Sequence, residues 1–74
     1  MRKRFKLVVN DQIVFVGNIK ECCEKSYDYK DNYNIEIADM VDEYIYYCLI
    51  NKLDLRRSES LERFRKYVAQ NKEI

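Results

Sequence analysis

Seven consecutive residues, Tyr44 to Ile50 (YIYYCLI), carry no charge and close a run of apolar positions that begins at Ile35. At 100° per residue, Ile37, Ala38, Val41, Tyr44, Ile45, Cys48 and Leu49 share one broad face, the stripe of a helix that buries one side. The opposite side starts acidic, with Glu36, Asp39 and Glu43, and then turns apolar with Tyr46, Tyr47, Ile50 and Leu53. A helix that is apolar nearly all round needs cover on two flanks. Tyrosine and isoleucine would also suit a strand over residues 44–50, but the unbroken helical period favours one helix. Asn34 is its expected N-cap, with Glu36 and Asp39 near the positive end of the dipole.

The rest of the chain supplies candidates for that cover. FKLVVNDQIVFVG reads as a β-hairpin, because two β-branched and aromatic runs flank Asn10-Asp11, a pair that tolerates positive φ. A two-residue turn sets Val8 opposite Ile13 and Leu7 opposite Val14. One face then carries Phe5, Leu7, Val14 and Val16, and the other Lys6, Val8, Ile13 and Phe15. With apolar groups on both faces, a lone hairpin is marginal and must be packed against something. After Gly17, Asn18 and Glu21 have the spacing of a capping box, which starts a short helix with Ile19, Cys22 and Cys23 inward. YDYKDNYN, residues 27–34, has no helical period and reads as the main loop. Ser58 is the expected cap of a last helix bearing Leu61, Phe64 and Val68 on one side with Tyr67 at its edge. Glu59 with Arg63 and Glu62 with Lys66 are i, i+4 pairs in the favourable order.

The sequence therefore predicts a single α+β domain spanning 1–74, an N-terminal β-hairpin followed by three α-helices, with helix dominant. One glycine and no proline agree with few loops. The composition, 47% hydrophobic and 36% charged, is that of a folding chain and not of a disordered one. No run approaches the roughly 20 apolar residues of a membrane span, so no membrane association is expected. Three cysteines and no apolar leader point to a reducing, cytoplasmic setting.

Catalytic chemistry finds little to work with. There is no histidine, no glycine-rich phosphate loop and no serine in a nucleophile-elbow context. Cys22-Cys23 lacks the further ligands of a zinc site and reads as apolar packing. Asp39 and Glu43 stand four apart, but no third ligand accompanies them at a telling spacing, and they read as a solvated helix face. The chain is expected to be non-enzymatic and to need no cofactor and no metal.

Charge is segmented. Residues 1–6 carry Arg2, Lys3, Arg4 and Lys6 without an acid, residues 20–43 carry three lysines against eight acids, and residues from Lys52 onward carry seven basic groups against four acids. Basic ends around an acidic middle favour oriented contacts over general stickiness to polyanions. A nucleic-acid reading would use Arg2, Lys3, Arg4, Arg56, Arg57 and Arg63 along phosphates. The basic residues of the last helix, however, point in several directions and alternate with Glu59 and Glu62, whereas a reading helix needs a face free of acids.

VVNDQIVFVGNIKECCEKS, from Val8 to Ser26, resembles the hairpin-then-helix opening of small DNA-binding modules found in phage proteins and beside homing endonucleases. In that family a DNA-reading second helix rich in serine, asparagine and basic residues follows; here tyrosines and the acidic NIEIADMVDE follow instead. The resemblance thus implies an origin in a phage or mobile element more than it implies DNA reading. The preferred functional expectation is a protein-binding factor of inhibitor or regulator type, since tyrosine gives a large rigid contact at small entropic cost. Its expected interface is Tyr46, Tyr47, Ile50 and Leu53 beside Tyr27, Tyr29 and Tyr33, packing on another protein or on a second copy in a homodimer. The alternative is a DNA-binding regulator using the basic arm and last helix.

Overall fold

The computed structural model describes residues 3–71. Strands β1 (Phe5–Val9) and β2 (Gln12–Gly17) form a hairpin, followed by helix α1 (Ile19–Ser26) and a 3-10 turn over Tyr27–Tyr29. Strand β3 (Asn34–Ile37) and helices α2 (Met40–Asn51) and α3 (Ser58–Gln70) complete the chain. The fold is α+β: a three-stranded antiparallel sheet in the order β2-β1-β3, with three α-helices.

The hairpin turn follows from local chemistry. Asn10 and Asp11 have φ of 52° and 63°, the two positive values that a tight two-residue connection requires and that short polar side chains tolerate. Val8 pairs with Ile13 as expected, but one residue further on the register shifts and Leu7 meets Phe15 in place of Val14. The extra residue is a β-bulge, and it moves Phe15 onto the face of Leu7 and Val16 onto the face of Lys6, the reverse of the predicted assignment. Gly17 is needed for space: a Cβ there would lie 2.8 Å from both the Phe15 ring and Glu21 Oε1.

That same Glu21 closes the capping box of α1. Its amide donates to Asn18 Oδ1 at 2.8 Å, and its carboxylate accepts from the Asn18 amide at 3.0 Å. The inward face of α1 is Cys22 and Ser26, spaced i, i+4. Ile19 and Cys23, expected to be inward, are exposed. The helix meets the hairpin at the Cys22 thiol, which donates to the Phe5 carbonyl at 3.5 Å; burial raises its pKa above the ordinary thiol range.

The largest departure is at residues 34–39. Asn34 does not cap a helix; it opens β3, which pairs antiparallel with β1. Alternation of Asn34, Ile35, Glu36 and Ile37 suits a strand, and the free edge of β1 supplies hydrogen-bond partners that an isolated segment lacks. The helix starts later, capped by Asp39: the Asp42 amide donates to Asp39 Oδ1 at 2.9 Å and the Asp39 amide to Asp42 Oδ2 at 3.0 Å. At its other end Lys52 takes the left-handed conformation, φ 56° and ψ 46°, and the Leu53 amide bonds back to the Cys48 carbonyl at 2.8 Å. This is a Schellman ending with lysine where glycine is usual.

α2 packs on β2 and on α3. Tyr46 meets Phe15 edge-on at 6.0 Å, which puts the hairpin on the Tyr46 side. The last helix lies on the Tyr44 and Tyr47 side, where Phe64 is 5.2 and 5.5 Å from the two rings. Val41 and Leu49, predicted core, are exposed, and Ile37 and Ala38 are not helical. Asp39 and Glu43 are likewise no solvated pair: Asp39 is the cap, and Glu43 is buried against Arg4. α3 begins one residue earlier than predicted. Arg57 is its N-cap, without a side-chain bond, and Ser58 is the first helical residue. Asp54 organises the approach, accepting from the Arg56 amide through Oδ1 at 2.9 Å and from Ser60 Oγ through its carbonyl at 2.6 Å. Among the described residues the buried apolar side chains are Leu7, Val16, Cys22, Cys48 and Phe64, with Leu7, Cys22 and Cys48 fully enclosed.

Candidate functional site

Two flanks of α2 and both its ends are occupied. The sheet holds one through Tyr46 and Phe15, α3 holds another through Tyr44 and Tyr47, and the ends are fixed by Asp39 and the Leu53 amide. Tyr44 adds a tie to the loop before α3, its hydroxyl donating to the Leu55 carbonyl at 2.8 Å. The remaining flank is open. Leu49 and Ile50 are 59% and 58% exposed; the half-buried Tyr46 borders them one turn earlier on the helix, and the half-buried Leu53 follows just after the Lys52 C-cap. Burial of the Tyr46 ring and the neighbouring Tyr67 raise its phenol pKa, so the hydroxyl stays neutral and able to donate at the edge of this strip.

The expected interface residues divide accordingly. Ile50 lies in the open strip, and Tyr46 and Leu53 border it. Tyr47 faces inward, half-buried between Phe64 and Tyr67 at 5.5 and 4.9 Å. Tyr27, on the 3-10 turn, is 83% exposed, while Tyr29 and Tyr33 are half-buried. Tyr33 lines a polar depression of about 300 Å³ with Asn10, Asp11 and Asp31 at the hairpin turn, and no ring contact joins it to the α2 strip. Leu49 is the residue the sequence reasoning missed. Its spacing from Tyr46 and Leu53 marks it, but the same residue also fits the opposite stripe, and only packing decides between them.

The basic residues divide too. Arg2 lies outside the described residues. Lys3 is exposed. Arg4 is committed to Glu43, its Nε donating to Oε2 at 2.6 Å and its Nη2 to Oε1 at 3.1 Å; that hydrogen bond raises the guanidinium pKa further against the opposing effect of burial. Lys6 is committed similarly, 3.2 Å from Asp42 and 3.8 Å from Glu36. Burial pushes the Asp42 carboxyl upward, but the Asp39 amide and the Lys6 ammonium outweigh it and hold the pKa below the ordinary range. Arg56 is exposed beside Asp54 at 3.5 Å. Arg57 and Arg63 meet Lys52 around a depression of about 380 Å³ that also holds Asp54 and Glu59.

Compared with protein-family models, with curated proteins and with solved structures, the chain matches none. Among the described residues no cluster of three or more histidine, cysteine or acidic side chains could hold a metal ion, and no helix is long and apolar enough to cross a membrane.

Proposed function

We propose that the chain is a non-catalytic, intracellular protein-binding factor of inhibitor or regulator type, acting by covering a surface of another protein with the open flank of α2. The observation that supports this is the exposure of Leu49 and Ile50 side by side on the last turns of α2, next to flanks that the hairpin and α3 occupy. Large adjacent apolar side chains left in water are what a docking surface requires. Tyr46 supplies a rigid aromatic margin with a hydroxyl, the composition favoured where contact must be both apolar and oriented. An origin in a phage or mobile element rests on the Val8–Ser26 resemblance alone.

Leu49→Glu and Ile50→Glu test the reading directly, because neither side chain is needed for the core. Each should weaken partner binding about tenfold, from the loss of roughly 1–1.5 kcal/mol of apolar burial. Circular dichroism should stay native. If both variants retain the same partner from a lysate of the source cell as the parent does, the α2 flank is not the binding surface.

A second reading keeps one observation in its favour. Lys52, Arg57 and Arg63 converge on one depression, as phosphate contacts would require. DNA binding by this patch and Lys3 should weaken steeply with added salt. Retention on duplex DNA that is insensitive to salt, or to Lys52→Ser with Arg57→Ser and Arg63→Ser, excludes it.

A further inference from the structure

The strand order leaves β3 at one edge of the sheet. The Ala38 amide donates to the Arg4 carbonyl at 2.9 Å, which sets the phase of the ladder. With Lys6 opposite Glu36 and Val8 opposite Asn34, the main-chain groups of Asn34, Glu36 and Ala38 point toward β1. Those of Ile35 and Ile37 therefore point outward, and no described strand lies beyond them. Open edges of this kind are blunted by short length, charge, proline or lysine. This one is four residues long but has neither proline nor lysine. Its only charge, Glu36, has Lys6 at 3.8 Å, and Ile37 is 63% exposed, followed by exposed Met40 and Val41.

We propose that this edge is a homodimer interface in which two copies pair antiparallel through β3, about a two-fold axis at Ile35, to form one continuous six-stranded sheet. The outward groups allow axes at Ile35, Glu36 or Ile37. An axis at Glu36 sets two carboxylates directly opposite in the closer, non-hydrogen-bonded type of pair, which is repulsive. An axis at Ile37 runs into Asp39, whose amide and carboxylate already cap α2. An axis at Ile35 makes every pair complementary: Ile35 meets Ile35, Ile37 meets Tyr33, and the Asn34 amide meets the Glu36 carboxylate. Self-complementarity in one register is what argues for a second copy over an unrelated strand.

A short strand pair alone falls below the roughly 800 Å² per partner of a standard interface, so the contact must also take in exposed side chains just beyond Ile37, Val41 above all, since Met40 already lines a depression with Leu61, Phe64 and Val68 of α3. Small chains with few buried side chains commonly gain stability from disulfides, metals or association.

Sedimentation equilibrium of the full chain, from micromolar to near-millimolar concentration, tests this. The expected mass rises from 9.1 kDa toward twice that value. Ile37→Pro removes only an outward-facing amide and should raise the dissociation constant at least about tenfold with a native circular dichroism spectrum. Ile37→Lys gives the same result by charge if the proline variant fails to fold. In a Cys23→Ser background, Ile35→Cys should crosslink two copies, since paired Cα atoms about 5.5 Å apart lie within disulfide reach, and Glu36→Cys should not. A parent that stays at 9.1 kDa throughout overturns the proposal, as does a dimer unaffected by either Ile37 variant or a crosslink at Glu36→Cys in preference to Ile35→Cys. Leu49→Glu with Ile50→Glu should leave the dimer intact; if that variant alone dissociates it, association runs through α2 and not β3.

Discussion

Removing Arg4 should unpin the sheet from α2. Glu43 is 5% exposed and both its oxygens accept from the Arg4 guanidinium, so Arg4→Met leaves a carboxylate in a nearly dry site without its counter-ion. Breaking a fully buried pair costs about 3–5 kcal/mol, whereas an exposed pair is worth about 0–1. The Arg4 side chain keeps 24% of its exposure, which places the expected cost between these, at about 2–3 kcal/mol. Glu43→Leu should cost about 2 kcal/mol by stranding the guanidinium, which can partly reach water. The double variant, with two apolar groups in contact, should return to within about 1 kcal/mol of the parent. Urea unfolding followed by circular dichroism measures this, at one fixed protein concentration because association adds to stability. At a slope of about 1 kcal/mol/M the single-variant midpoints should fall by about 2 M. Singles that cost less than about 0.5 kcal/mol, or a double variant equal to the sum of the singles, would refute the reasoning. Arg4 is thus a poor probe of nucleic-acid binding: changing it perturbs the fold first.

Lys52→Gly should stabilise the chain by about 0.5 kcal/mol, since relief of a left-handed non-glycine residue outweighs the added freedom of the unfolded chain; a lower urea midpoint would count against the Schellman assignment. Asp42 has a folded pKa below its unfolded value, so its contribution is fully present above the ordinary carboxylate pKa of about 4 and is lost as pH falls through that value toward the lower folded one. Stability measured from pH 6 down to pH 3 should therefore drop less steeply in Asp42→Asn than in the parent. Cys23 should react with a thiol reagent in the native protein, while Cys22 and Cys48 react only on unfolding; fast modification of all three would mean the core is looser than the structure has it.

Where a short stretch of chain holds both partners of an interaction, the sequence was legible. Asn10-Asp11 declares its turn because no other part of the molecule is needed to favour positive φ. Asn18 and Glu21 declare the start of α1 because donor and acceptor are three residues apart. Asp39 and Asp42 have the same spacing and could have been read in the same way, but the apolar run behind them extended the apparent helix back to Ile35.

The sequence by itself determined the hairpin turn, the start of α1, the amphipathic last helix and the need to cover α2 on two flanks, since each depends on neighbours within a few residues. Only the tertiary structure decided that residues 34–37 form a strand, because the edge of β1 that pairs with them lies about 30 residues away in the chain. It decided equally which side of α2 stays open. A helix apolar around its whole circumference gives periodicity nothing to distinguish, and it was Arg4 reaching Glu43, Phe15 reaching Tyr46 and Phe64 reaching Tyr47 that turned Leu49 and Ile50 outward.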